Sequence, residues 1–214
     1  MACTDASGFM LNALAAPPTG CACNNPRRTI VRIDPNNTWR MVQERMEQES
    51  DPVIRRNLEL VFEHMQSEAR GDIEGVVATL CEQPRYIAHD IPDEPSMNPV
   101  GSKDAVRAFY DLTIVQTGAH QLELRCDRVI ADHGAVMTEG VMHMAYPGKT
   151  LAAMGIEVDD PEAYYLYQTR MSVVWPVDEA SGMLLGEETY TGTDGFEGIT
   201  ERKISADDIA PLTI

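Results

Sequence analysis

Residues 51–89 read DPVIRRNLELVFEHMQSEARGDIEGVVATLCEQPRYIAH, and this stretch decides the fold. Asp51 is an N-cap residue and Pro52 stands at the first helical position, where its missing N–H costs nothing. Ile54, Leu58, Val61, Phe62 and Met65 recur at helical spacing and make one broad apolar face. Gly71 after Arg70 ends the helix. Asp72 starts a shorter helix carrying Ile73, Val76, Val77 and Leu80, and Arg85-Tyr-Ile-Ala-His89 reads as a strand. A long helix, a Gly-Asp turn, a short helix and a strand therefore follow one another without a gap.

Outward from this stretch the two flanks differ. Residues 1–37 are broken by Ala16-Pro-Pro-Thr-Gly20, Asn24-Asn-Pro26 and Asp34-Pro-Asn-Asn37 and read as an irregular arm. Ile30-Val-Arg-Ile33 suits a short edge strand. A helix is expected from Thr38 to Ser50, with Trp39, Val42 and Met46 on one face. The proline-rich loop Asp90–Pro99 precedes a helix capped by Ser102, whose Ala105, Val106, Phe109 and Leu112 face inward. Four strands follow: Gln121–Ala131, Ala135–Tyr146, Tyr164–Val177 and Met183–Thr191. Asp132-His-Gly134 and Asp178–Gly182 are the turns. The acidic segment Pro147–Ala163 is too long for a hairpin and is either a lid or a solvated excursion. The tail from Gly192 reads as peripheral. Strands after a block of helices give an α+β class. The expected division is an arm with a short helix (1–50), one domain (51–191) and a tail (192–214).

The 214 residues are 43% hydrophobic with a formal charge of −17. A chain this acidic lacks the basic face that nucleic acid or an anionic membrane demands. No apolar run is long enough to span a membrane. Gly8–Ala16 is weakly apolar, but no basic residue precedes it, so it is not read as a signal peptide. The five cysteines, Cys3, Cys21, Cys23, Cys81 and Cys126, match neither a zinc site nor a disulfide framework. A reduced, cytoplasmic chain is the simplest expectation. There is no phosphate loop, no G-x-G-x-x-G and no G-x-S-x-G. No cofactor and no metal is expected.

The order of elements, with Arg70-Gly-Asp-Ile-Glu-Gly75, the Gly101-Ser-Lys-Asp-Ala-Val-Arg-Ala-Phe-Tyr110 helix and Val173-Val-Trp-Pro-Val177 followed by Gly182-Met-Leu-Leu-Gly-Glu-Glu188, resembles the nuclear-transport-factor-2-like superfamily. That group includes ketosteroid isomerases, scytalone dehydratase, limonene epoxide hydrolase and polyketide cyclases of the SnoaL type. The resemblance covers about residues 52–191. It implies a cone-shaped curved antiparallel sheet wrapped over three to four helices, an enclosed apolar pocket, and a homodimer or higher homo-oligomer. In the isomerases a helical tyrosine lies seven residues before the glycine of the Gly-Asp turn, which here falls on His64. Their aspartate base falls on His89, or on Asp90 if the register slips by one. Their third polar group falls near Arg170 or Met171, where no acid stands, so the isomerase triad is not reproduced.

From the residues themselves, His89 shares strand parity with Ile87 and is expected to face in if Ile87 does. Its imidazole is suited to taking and returning a proton. Asp90 is its partner, the actual base, or a turn residue. His64 lies at the edge of the apolar stripe, and His143 shares parity with Val141 and Ala145. Tyr146, Tyr167, Trp175 and Tyr190 are candidate pocket walls, and Arg170 and Glu188 a candidate pair. The expected function is a cofactor-free lyase, dehydratase or isomerase acting on a small apolar substrate, with His89 and Asp90 as acid or base and His64 and His143 positioning a substrate oxygen. A hydrolase with a positioned water, or a non-catalytic binding or assembly module, is the alternative.

Overall fold

The computed structural model describes residues 33–213 other than 90, 92, 93 and 120. Expectations for the arm before Ile33, for Cys3, Cys21 and Cys23, and for Asp90 fall outside the described residues. The helices are α1 (Arg40–Gln48), α2 (Pro52–Arg70), α3 (Ile73–Ala78), α4 (Lys103–Tyr110) and α5 (Gly148–Ala153). The strands are β1 (Leu80–Ala88), β2 (Leu122–Ala131), β3 (Ala135–Pro147), β4 (Tyr164–Pro176), β5 (Leu184–Thr191) and β6 (Lys203–Ile204).

The caps form as the residue types dictate. The Asp51 carboxylate accepts from the backbone N–H groups of Val53 and Ile54. Gly71 ends α2 at φ 68°, and the Asp72 carboxylate accepts from Gly75 N at 2.9 Å to start α3. Ser102 caps α4 by accepting from Ala105 N. A π-turn over Asp111–Val115 prolongs α4.

The sheet runs β1-β5-β4-β3-β2, with β6 beside β4. It is curved, mixed and not closed. Its pairings are antiparallel except β1 with β5, which are parallel. This corrects the all-antiparallel expectation. It also moves the start of β1 five residues upstream of Arg85: Leu80 pairs Leu184, the register breaks, and pairing resumes at Arg85 with Gly186. Pro84, which cannot donate to a ladder, sits within the break. The core joins α2 (Leu58, Val61, Met65) to the concave face of the sheet (Leu124, Val173, Trp175).

The tail is not peripheral, and this corrects the sequence reading. Ile199 and Ile204 are buried, and Ile33 bridges to Ile209. Arg202 donates to the carbonyls of Leu166, Glu197 and Gly195 at 2.6–2.8 Å, pinning the tail to β4. Segment 147–163 is packed rather than free. Leu151 is fully buried, the Tyr165 hydroxyl donates to Asp159, and Lys203 pairs with Asp159 and Asp160. No helix among the described residues is long and apolar enough to cross a membrane.

Candidate active site

The helices and the concave face of the sheet leave a cavity of about 320 Å³ between them. That lies at the small end of the range of ligand pockets. Its walls are mostly apolar, and Met65, Met97, Met142, Met144 and Met171 supply flexible thioethers that adapt to shape. Two carboxyl side chains, Glu68 and Glu187, stand in this wall together with the hydroxyls of Tyr86 and Tyr110.

Glu187 arrives through the parallel pair. β5 sets Glu187 opposite Tyr86 and Glu188 opposite Ile87. Because side chains alternate, Glu187 goes to the cavity with Tyr86, and Glu188 goes outward. Gly186 makes this possible at φ 144°, where a Cβ would lie 2.0 Å from the Arg85 carbonyl oxygen. Gly186→Ala is therefore expected to cost about 2–4 kcal/mol through strain and loss of the β1–β5 ladder. Thermal unfolding should show Tm lower by roughly 5–15 °C; an unchanged Tm would mean the backbone there is not under steric control.

Behind Glu187 lies His64, fully buried on α2. His64 Nδ1 is 2.7 Å from Thr79 Oγ1, and the Thr79 hydroxyl donates to the Val76 carbonyl, also at 2.7 Å. A carbonyl can only accept, so Thr79 Oγ1 is left to accept from His64, and the hydrogen-bond network assigns a proton to Nδ1. His64 Nε2 then faces Glu187 Oε1 and Tyr110 Oη, each at 3.1 Å, while Tyr110 Oη and Glu187 Oε1 are 2.7 Å apart. The Tyr110 hydroxyl donates to Glu187 Oε1, and the three side chains form one buried hydrogen-bonded trio. The Glu187 side chain also stands in the cavity wall.

Glu68 follows His64 by one helical turn on α2 and continues the inward stripe. Its carboxyl has no hydrogen-bond partner among the described residues. Burial, and next the Glu187 charge, push its pKa up to about 8 from 4.5. At neutral pH Glu68 is mostly a neutral carboxylic acid. The Tyr86 side chain is 3% exposed, and its hydroxyl lies beside Tyr110 and Glu187 without a well-aligned partner. Burial raises the phenols of both Tyr86 and Tyr110, so both stay hydroxyl donors.

The residues singled out from sequence separate into two groups. Tyr146, Tyr167 and Trp175 line the cavity. His64 is not in its wall; it stands behind Glu187. His89 does not face in. The inward phase of β1 belongs to Tyr86, and His89 is exposed, stacked on exposed Tyr190 at 4.2 Å and 3.6 Å from Glu188. Glu188 pairs with Arg85 at 2.8 Å, not with Arg170. Arg170 lies on the convex face, paired with Asp127 and Glu139. His143 is buried but alternates with the cavity residues Met142 and Met144, so it lies on the opposite face of β3. Burial and then Arg125 push its pKa down to about 4, so it is neutral at physiological pH. Glu68, Glu187, Tyr86 and Tyr110 were not among the sequence candidates, nor was Phe196, which brings the tail into the cavity wall. Among the described residues no group of three or more His, Cys, Asp or Glu side chains has an arrangement for a metal ion.

No family model matches the chain, and no curated protein matches it. Solved structures do. A protein described as SnoaL-like and assigned by likeness to the polyketide cyclases, from Shewanella putrefaciens CN-32, is 9% identical, and the match covers 76% of this chain and 92% of that one with a TM-score of 0.54. Another from Jannaschia sp. CCS1 is 17% identical, covers 68% and 91%, and has a TM-score of 0.50. At such identities the likeness concerns the path of the backbone and not its chemistry. The helix pair, the curved sheet and the cavity between them place the chain in the nuclear-transport-factor-2-like fold, the fold of the SnoaL-like proteins.

Proposed function

We propose that the protein is a cofactor-free enzyme that moves a proton on a small, largely apolar organic molecule, in a lyase, dehydratase or isomerase step. The observation that supports this reading is the buried His64–Glu187–Tyr110 trio opening on an apolar cavity that also holds a neutral Glu68. Glu187 takes a proton from a carbon next to a carbonyl, and the electron pair moves to the carbonyl oxygen. Protonated Glu68 donates a hydrogen bond to the oxygen as its charge grows. The proton then returns at another carbon, which is isomerisation, or a neighbouring hydroxyl departs as water with the Glu68 proton, which is dehydration. His89, expected from sequence as the acid or base, has no part in this scheme, and Glu187 takes its place.

The test is deuterium exchange by NMR in D2O, with small aromatic β-dicarbonyl compounds as probes. Wild type is expected to label the carbon between the carbonyls faster than buffer does. Tyr110→Phe, which removes the hydroxyl of the trio and keeps the ring, is expected to slow labelling by about tenfold. Probes that bind but are never labelled faster than in buffer point to a binding module instead.

A further inference from the structure

We infer that Phe196 sets the length of the molecule the cavity takes: the substrate is elongate, with its carbonyl at Glu187 and an unbranched apolar end stopped by the Phe196 ring. This names the substrate class of the site above and rests on the enzymatic reading for which end reacts. Strand register gives the cavity its shape. Val174 on β4 pairs with Glu188 on β5, so Glu187 stands level with Trp175. His64 joins the two, 3.1 Å from Glu187 and with its ring 5.1 Å from that of Trp175. Tyr167 precedes Trp175 by eight residues on β4, and both line the cavity. At about 3.3 Å per residue the two positions are roughly 26 Å apart along the strand, before its curvature is counted. Tyr146 belongs to the same far end, since Met144 on β3 pairs with Tyr167. The cavity is therefore a slot along the strands, with Glu187 at one end and Tyr146 and Tyr167 at the other.

Phe196 closes the far end. Its ring meets those of Tyr146 and Tyr167 edge to face, with centroids 5.1 and 4.9 Å away. The backbone behind it is held on both sides. A Cβ on Gly195 would lie 2.3 Å from the Tyr167 ring, so chain and ring are already in contact there. Arg202 donates to the carbonyls of Gly195 and Glu197, one on each side of Phe196, and Thr169 donates to the Thr193 carbonyl. On its other side Phe196 borders a hollow of the outer surface, beside Ile156, Glu197 and Ile199. Among the described residues it is the one residue that lines both spaces. The ring is thus a partition, and truncating it joins the cavity to the outer hollow. A chain short of the ring gains burial with each added carbon, whereas a longer one has to displace a ring whose backbone is pinned.

The experiment is calorimetric binding of straight-chain methyl β-diketones, acetylacetone lengthened one carbon at a time, to wild type, Phe196→Ala and Phe196→Leu. In wild type the affinity is expected to rise about threefold to fourfold with each added carbon and to stop rising at a definite length. In Phe196→Ala that limit is expected about three or more carbons later, and in Phe196→Leu about one or two carbons later. Thermal unfolding checks that each variant is folded, and Phe196→Leu, the smaller change, carries the test if the alanine variant is not. A limit at the same length in the folded variants overturns the inference, and so does a wild-type series with no limit. Faster binding in Phe196→Ala without a longer limit overturns it too, and makes the ring a door instead of a stop. The catalytic reading fails by a different result, the absence of deuterium labelling with any probe, so the two can fail separately.

Discussion

Glu68→Gln is expected to raise stability at pH 8.5 by roughly 2–4 kcal/mol while changing it little at pH 4.5. The group's pKa is about 8 in the fold against an ordinary 4.5, so between those values the folded state holds a proton that the unfolded chain has lost. Stability therefore falls as pH rises across that window. The contribution is complete below about 4.5 and gone above about 8. The full gap is worth at most about 5 kcal/mol, and the open face toward the cavity reduces the share realised. Glutamine has the same shape and no charge to bury, so its Tm should stay nearly flat from pH 5 to pH 8.5 while that of wild type drops. Parallel Tm curves for the two proteins would show that Glu68 is not held neutral, and the site would lose its acid. A stabilising exchange of this size at a cavity wall is the pattern of a residue kept for function at a cost to the fold.

The parts of this architecture that rest on local chemistry were readable in the sequence. Asp51, Gly71, Asp72 and Ser102 act through hydrogen bonds within a few residues and Pro52 through its fixed φ, and they bound their helices as expected. The α+β class followed from strands after a block of helices, and the apolar pocket was implied by the resemblance to the nuclear-transport-factor-2-like superfamily. What escaped depends on pairings far apart in the chain. The inward phase of β1 is fixed by its parallel register with β5, a hundred residues later, and by the break at Pro84. Arg85-Tyr-Ile-Ala-His89 read alone fits either phase, and choosing Ile87 as inward carried His89 with it. Glu187 and Glu188 are neighbours with equal claims until Gly186 and the register decide between them. Glu68 left a signal: Val61, His64, Met65 and Glu68 share one helical stripe. It passed for surface because Gln66, Ser67 and Arg70 around it are polar, and an acid in such company is ordinarily solvated.

Glu187→Gln is expected to slow the labelling reaction by about 10²–10⁴-fold with little change in probe affinity, because it removes the proton acceptor and leaves the cavity walls in place. The same substitution carries a second readout that a purely structural role would not produce. The Glu187 charge is one of the two causes of the raised Glu68 pKa, so its removal should let Glu68 titrate below 8, seen by carbon NMR of the carboxyl. His64→Gln acts one step further back. It breaks the contact to Glu187 Oε1 and leaves the Tyr110 hydroxyl to serve that oxygen alone, so labelling should fall by less than in Glu187→Gln, about tenfold to a hundredfold. In wild type the reaction should weaken as pH rises through about 8, since Glu68 then loses the proton it donates. Glu187→Gln at full rate would remove Glu187 from the chemistry. A Glu68 midpoint that does not move in that variant would mean the two carboxyls do not feel each other across the cavity, and the trio would lose its link to the acid.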